Sequence, residues 1–464
     1  MLFNTPQFFV FLLLTMALFY VSPKPARRWI LLAASYFFYM SWNWRFAPLL
    51  LSLTVIDYVA AIWMERVESP GRRKMFLVLS LAANLGFLGF FKYYNFLASM
   101  LADVMRKDPH AFALSIVLPL GISFHTFQSM SYVVDVYRRE QKAIRDPIDY
   151  ALFIAFFPQL VAGPIVRARE FFADYYKWMP PVSEEKLRGV LWILLGLVKK
   201  MALADQFAQI ADSYFQNVAA HPGAPAAWGG VGAFAMQIFF DFSGYTDMAI
   251  GMALLLGFHF PVNFRRPYLA FSITDFWHRW HITLSRWLRD YLYIPLGGNR
   301  HGALMTYRNL MLTMLLGGLW HGASWNFVIW GGYHGALLGL ERMLGRKQFQ
   351  ERPHWLLYPF RAAITFVLVC IGWVFFRAAT LTDSTYVIRQ MFSMHGKGIL
   401  IPAWLGVLVA VSLVIALFEE RTAWIERLAK GPAWAYVAAV VALLFCVELI
   451  GVTEKAIPFV YFQF

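Results

Sequence analysis

Pro6-Gln-Phe-Phe-Val-Phe-Leu-Leu-Leu-Thr-Met-Ala-Leu-Phe-Tyr-Val21 contains no charged side chain. Moving outward, the same absence recurs at 46–56, 75–91, 190–198, 362–376, 399–418 and 434–447. A bilayer core takes about 20 apolar residues per helix, with roughly 17–25 tolerated. Allowing for tilt, these runs and the less clean ones between them predict roughly ten to thirteen spans or partial spans. Charged residues make up only 15% of the chain, against roughly a quarter in ordinary soluble domains. Too little polar surface is left to cover a soluble helical protein of this length. The expected fold class is therefore all-α: a polytopic transmembrane helical bundle with re-entrant and interfacial helices.

The charge that is present sits in short loops. Lys24, Arg27 and Arg28 follow the first run; Arg66, Arg72, Arg73 and Lys74 follow the third; Arg138, Arg139, Lys142 and Arg145 follow the fifth. The intervening loops are weakly or evenly charged, which places the N-terminus outside and the odd-numbered loops in the cytoplasm. The net charge of +14 thus reflects topology and anionic lipid headgroups, and no nucleic-acid partner is expected. The first run lacks a basic n-region and a small-residue cleavage site, so it reads as a retained span. Cys370 and Cys446 each lie in an apolar run and read as packing residues.

Polar groups at membrane depth face protein or a water-filled cavity. Pro119, Gly121, Ser123, His125, Thr126, Gln128 and Ser129 interrupt one apolar segment, and Pro158 and Pro164 break another. Asp241 and Asp247 fall in a third; each carboxylate needs a partner, a cavity or a proton. They serve either a polar site or a network that fixes helix packing. Ser272-Ile-Thr-Asp275 has the form of a helix-starting capping box. Beyond it Trp277, Trp280, Leu284, Trp287 and Tyr291 recur at helical spacing, with His278, His281, Ser285 and Arg289 on another face. This predicts one amphipathic helix over 272–294 at the cytoplasmic interface, followed by a turn through Asn299. A further apolar helix ends in Trp320-His321-Gly322, where Gly317 and Gly318 permit close backbone approach.

There are eleven histidines. His110, His221, His354 and His395 lie in loop-like sequence. His278 and His281 are one helical turn apart but lack a third ligand, so no metal is expected. His321 lies near membrane depth, either as a satisfied core histidine or as a general base, since imidazole titrates near neutral pH.

The run Asp275-Phe-Trp-His-Arg-Trp-His-Ile-Thr-Leu-Ser-Arg-Trp-Leu-Arg-Asp-Tyr-Leu-Tyr-Ile-Pro-Leu-Gly-Gly-Asn-Arg300 resembles the membrane-bound O-acyltransferase superfamily. So do Leu315-Leu-Gly-Gly-Leu-Trp-His-Gly-Ala-Ser324, Trp330-Gly-Gly-Tyr-His-Gly335, Asp241-Phe-Ser-Gly-Tyr-Thr-Asp-Met-Ala-Ile-Gly251 and Leu118-Pro-Leu-Gly-Ile-Ser-Phe124. The branch resembled is that of bacterial alginate and cellulose O-acetylation subunits, with peptidoglycan O-acetylation and teichoic-acid D-alanylation subunits as near relatives. His278 departs from the pattern, which has Arg there. The resemblance covers nearly the whole chain and implies a single membrane domain over 1–464: N-terminal helices to 110, a catalytic core over 111–345, and C-terminal helices with an aromatic tail from 346. It implies that His321 is the essential histidine of a tunnel admitting acetyl-CoA, the acyl donor, from the cytoplasm. Asp241, Asp247, His281, Asn299, Trp320 and His334 would line or support that tunnel, though His334 could equally just pack. Arg265, Arg266, Arg286 and Arg289 would meet the CoA phosphates, unless they are topology signals.

The tail Phe459-Val-Tyr-Phe-Gln-Phe464 resembles the Phe-x-Tyr-x-x-Phe ending of this acyl-transfer system. It implies that Tyr461 carries the acyl group briefly, with His321 as base, before a periplasmic serine-hydrolase-like partner passes it to a polysaccharide. The plainer reading is an aromatic interface anchor. Three rival classes stay open: a transporter, transfer to another acceptor (peptidoglycan, teichoic acid, lipid or protein), and a structural subunit of an export complex. The location implied is the bacterial inner membrane.

Overall fold

A computed structural model describes residues 1–161, 163–345, 349–394, 404, 406–407, 409–410, 412–414, 423–452 and 457–463. The run 399–418 lies largely outside these, and His395 and Phe464 lie outside them altogether. The described chain is helical throughout and has no β-strand. Five described helical stretches are long and apolar enough to cross a membrane, the first of them, Lys24–Arg66, comprising two successive helices. The protein is a multi-pass membrane protein. Its residues form two compact units, Met1–Pro181 with Met252–Pro261, and Val182–Gly251 with Val262–Phe464.

The first unit opens with α1 (Pro6–Val21), α2 (Lys24–Asn43), α3 (Ala47–Arg66) and α4 (Pro70–Leu88). Each has proline in its first turn, where the ring needs no hydrogen-bond donor and its fixed φ suits the helix. A π-helical stretch at Gly89–Tyr93 leads into α5 (Tyr94–Val104). α6 (Ile122–Tyr137), α7 (Pro147–Ala155), the short α8 (Phe157–Leu160) and α9 (Ala168–Tyr176) complete it. The polar run His125 to Ser129 lies on α6, an unbroken helix, and is buried. Asp57 of α3 is also buried, and accepts hydrogen bonds from Ser80 at 2.5 Å and Asn84 at 2.8 and 3.0 Å. Buried polar groups of this kind tie apolar helices into one register, because an unmade hydrogen bond has no water to replace it.

The second unit begins with α10 (Ser183–Leu197), a π-helical stretch at Val198–Ala204, and α11 (Asp205–Phe215). α12 (Ala224–Leu255) follows and packs closely on α10. A Cβ added at Gly196 would come within 2.5 Å of the Gly244 carbonyl oxygen, and one at Gly251 within 2.5 Å of that of Gly189. Glycine seams of this kind let helices gain dispersion contact where lipid offers no hydrophobic drive.

α13 (Ile273–Arg279) and α14 (Ile282–Leu288) replace the single helix expected over 272–294. The N-terminal cap is as expected: the Ser272 hydroxyl accepts the Asp275 N–H at 3.0 Å. The break comes at His281, whose φ of +41° is left-handed. Asn263 holds that break. Its side-chain oxygen accepts the Thr283 N–H at 3.1 Å and the Thr283 hydroxyl at 2.9 Å, while its carbonyl accepts the Ile282 N–H at 2.9 Å. Trp280, Leu284 and Trp287 are buried in protein. A π-helical stretch at Arg289–Tyr293 ends the segment.

α15 (Gly302–His321) and α16 (Trp325–Met343) form a tight pair. Cβ atoms at Gly318 and Gly331 would collide with the Phe327 and Met314 carbonyl oxygens respectively, whereas one at Gly317 would meet only the Leu288 side chain, at 3.2 Å. α17 (Tyr358–Arg377), α18 (Leu381–Met391), α19 (Trp424–Lys430) and α20 (Ala433–Ile450) follow, and a 3-10 turn at Val460–Gln463 carries the tail.

Candidate active site

His321 is the last residue of α15 and is buried. The next residue is fixed as glycine by space, since a Cβ at Gly322 would collide with the Phe327 ring. This returning chain brings α16 back along α15 and surrounds the imidazole with rings. Their centroids lie 4.9 Å (Trp320), 5.1 Å (Trp330), 5.1 Å (Phe376) and 5.7 Å (Tyr461) from that of His321. An aromatic enclosure of this kind excludes bulk water and strengthens any electrostatic interaction made inside it.

Tyr461 reaches this enclosure because the tail folds into the second unit. Phe459 and Val460 are fully buried. Phe459 stacks near Tyr245 and Phe242, at 4.6 and 5.5 Å, and Tyr461 lies 4.5 Å from Phe242. The Val460 backbone N–H donates to Asp241 Oδ2 at 2.6 Å. The other Asp241 oxygen is paired with Lys200 Nζ at 2.8 Å, which also pairs with Asp205 at 2.7 Å. Asp247, on the same helix, pairs with Lys199 at 2.7 Å. Both carboxylates thus have cationic partners on the π-helical stretch at Val198–Ala204.

His281, Trp320 and His334 fall in the same cluster of rings. The His281 ring is 4.7 Å from Phe242 and 6.3 Å from Trp320, and its Nδ1 lies 3.3 Å from Asn263 Oδ1. His334 is fully buried, 5.0 Å from Trp330 and 5.3 Å from Trp277.

A cavity of about 480 Å³ lies nearby, with Arg265, Trp277, His278, Arg286, Arg289, Glu341 and Arg342 in its lining. Glu341 is engaged by the start of α13, accepting the Ile273 and Thr274 N–H groups at 2.6 and 2.9 Å. Four arginines therefore line one cavity, a composition suited to phosphate, with the Arg289 guanidinium paired to Asp290 at 2.6 Å. Trp277 connects it to the histidine: its ring is 5.7 Å from Trp330, which in turn contacts His321.

Two of the residues expected at the site do not join these groups. Arg266, held in a left-handed backbone conformation, is not among the cavity-lining residues, and Asn299 is exposed in the turn after the π-helical stretch. The residues that sequence reasoning passed over are Lys199, Lys200, Asp205, Asn263 and Arg342. The first three carry a partial signal: a Lys-Lys pair that closes an apolar run, and an aspartate directly after Met201-Ala-Leu-Ala204.

Comparisons with known proteins identify the family. The family described as MBOAT, membrane-bound O-acyltransferase, matches residues 66–382. The chain is 39% identical to the probable alginate O-acetylase AlgI of Azotobacter vinelandii, with all of both chains covered. It is 43% identical to the protein of that description in Pseudomonas aeruginosa, covering 91% of this chain and 82% of the relative. It is 38% identical to the peptidoglycan O-acetyltransferase of Helicobacter pylori, covering 85% and 80%. The chain is a member of the membrane-bound O-acyltransferase family.

Proposed function

We propose that this enzyme takes acetyl from cytoplasmic acetyl-CoA and passes it, through Tyr461, toward periplasmic O-acetylation of an exopolysaccharide such as alginate or cellulose. It would act in the bacterial inner membrane. The observation that carries the reading is the Tyr461 ring 5.7 Å from that of His321 inside a buried aromatic enclosure. An interface anchor would present its ring to headgroups instead. The full-length similarity to probable alginate O-acetylases supports the acetyl group and the polymer.

In this mechanism Arg265, Arg286, Arg289 and Arg342 bind the donor's phosphates, and the thioester extends past Trp277 toward His321. A phenol is protonated at neutral pH, with an ordinary pKa of about 10, so it needs a base to attack. His321 accepts the Tyr461 proton. The phenolate oxygen bonds to the thioester carbonyl carbon, the C–S bond breaks, and the CoA thiolate leaves with the proton returned by the imidazolium. The aryl ester is an activated acetyl donor. A serine-hydrolase-like partner accepts the acetyl on its serine oxygen, which restores the tyrosine, and transfers it to a polymer hydroxyl.

Peptidoglycan is a second acceptor with support of its own, the 38% identity to the Helicobacter pylori enzyme. The acyl-transfer core would be the same for both.

The test uses purified full-length protein, acetyl-labelled acetyl-CoA and mass spectrometry of the C-terminal peptide. Label is expected on Tyr461 in the wild type, with none on the peptide of Tyr461→Phe. Free thiol without label on the tail would remove the relay while leaving acyl transfer in place.

A further inference from the structure

We infer that Lys200, Asp205 and Asp241 form a buried ionic receptor for the tail backbone, which positions Tyr461 against His321. The inference rests on the tyrosine relay proposed above and adds the residues that aim it.

The three side chains are only 1–2% exposed. One ammonium lies between two carboxylates, 2.7 Å from Asp205 and 2.8 Å from Asp241. Packing alone would be served by a single pair, and burying a further charge in a membrane protein is costly. The additional carboxylate gives the cluster an acceptor for use elsewhere. Asp241 Oδ2 spends it on the Val460 N–H at 2.6 Å, the residue immediately before Tyr461. A hydrogen bond to an ionised acceptor is about twice as strong as a neutral one.

The base of the tail is tied to the same stretch of helix. The Met201 carbonyl accepts the Val452 N–H at 3.1 Å, and Gln206 donates to the Ile450 carbonyl at 2.7 Å. The π-helical stretch at Val198–Ala204 therefore supplies Lys200 to the carboxylate that holds one end of the tail, and Met201 to the other end. Such insertions are frequent at functional sites. Between the Val460 anchor and the reacting oxygen there remains one residue, Tyr461, with its own side-chain torsions. That restriction favours near-attack geometry, in which reacting atoms stand about 3–3.5 Å apart. Because the receptor reads a backbone N–H, the hydrogen bond itself does not depend on the side chain at 460.

Two variants remove the bond from opposite sides. Asp241→Ala removes the acceptor. Val460→Pro removes the donor and leaves the ion cluster intact, and proline is tolerated there because Val460 opens a 3-10 turn. Asp241→Asn keeps a neutral acceptor, and Val460→Ala keeps the donor. With full-length protein in detergent, two readouts are followed: hydrogen exchange of the peptide spanning 457–463, and the rate of Tyr461 labelling against acetyl-CoA concentration.

Asp241→Ala and Val460→Pro are expected to speed exchange and to lower kcat for labelling by about 10²-fold, the size of a misplacement effect, at unchanged KM. Asp241→Asn should recover part of the rate, and Val460→Ala should keep slow exchange. Labelling at the wild-type rate in Val460→Pro, or unchanged tail exchange in Asp241→Ala, overturns the receptor. If wild-type Tyr461 takes no label but Asp241→Ala and Val460→Pro still release the tail, the relay fails and the receptor stands.

Discussion

α12 and α20 are both apolar enough to cross a membrane, yet 94% of the α12 window is buried in protein and none of the α20 window is. α12 carries Asp241 and Asp247 in mid-helix; the one charged residue of α20, Glu448, is exposed in its last turn. Hydropathy alone predicts that both cross and says nothing about which neighbour each meets. The polar residues decide that. A carboxylate at membrane depth must find a cation or a cavity, so the helix that carries one is drawn to the interior, and the interior is where the histidine and tyrosine meet. A helix without such groups can face lipid, because lipid tails are as apolar as its side chains.

The strongest way to break this contrast is at His321, the proposed base. His321→Ala should lower thiol release from acetyl-CoA by about 10²–10⁴-fold, the usual contribution of a positioned acid–base group. Val441→Ala, on the exposed side of α20, should leave that rate unchanged. Equal losses in both would mean that interior and lipid-facing helices do not divide the work.

Stability sharpens it next. Lys200→Met leaves Asp205 and Asp241 without their shared cation, and breaking a buried pair in this way costs about 3–5 kcal/mol. Thermal unfolding in detergent should show the loss. Glu448→Gln, on α20, should stay within about 0.5 kcal/mol of the wild type, as surface changes do. A comparable loss from both would remove the energetic distinction.

The smallest effect belongs to a half-buried pair in the first unit. Arg28 and Asp146 lie 2.6 Å apart with side chains 34% and 36% exposed. Burial pushes the Asp146 carboxyl up, but the Ile148 N–H and the Arg28 guanidinium outweigh it and hold the carboxyl below its ordinary value. The folded state therefore favours the ionised form. Its contribution is complete above the unfolded value of about 3.9 and fades as pH falls through the lower folded one. Measured in high salt and low salt, Asp146→Asn should destabilise slightly at neutral pH and converge with the wild type in acid. A gap that widened on acidification would contradict this.

Much of this was legible beforehand because it depends on local rules. Apolar runs bounded by prolines gave the early helices, Ser272 gave a cap, and Gly318 gave a close approach. His321 and Tyr461 were marked by motif, and the structure brings their rings together. What escaped depends on contacts distant in sequence. The aromatic spacing from Trp277 to Tyr291 continues through the break at His281, so periodicity saw one helix; the break is made by Asn263, which no helical period includes. Lys199 and Lys200 close an apolar run, and it is the carboxylates of α12, distant in sequence, that show where they belong. Arg266 belongs to a basic pair and Asn299 to a conspicuous motif, but Arg266 takes a left-handed backbone conformation, Asn299 is exposed, and neither lines the cavity.

The pairing of α12 with the preceding helices also bears on how the chain is made. Lys199 comes 48 residues before its partner Asp247, so synthesis delivers the lysines first. When α12 emerges, its carboxylates meet counter-charges that have already been translated, which lowers the cost of carrying Asp241 and Asp247 into a bilayer. α20 needs no such escort. Order along the messenger thus does for biogenesis what the ion pairs do for the finished protein.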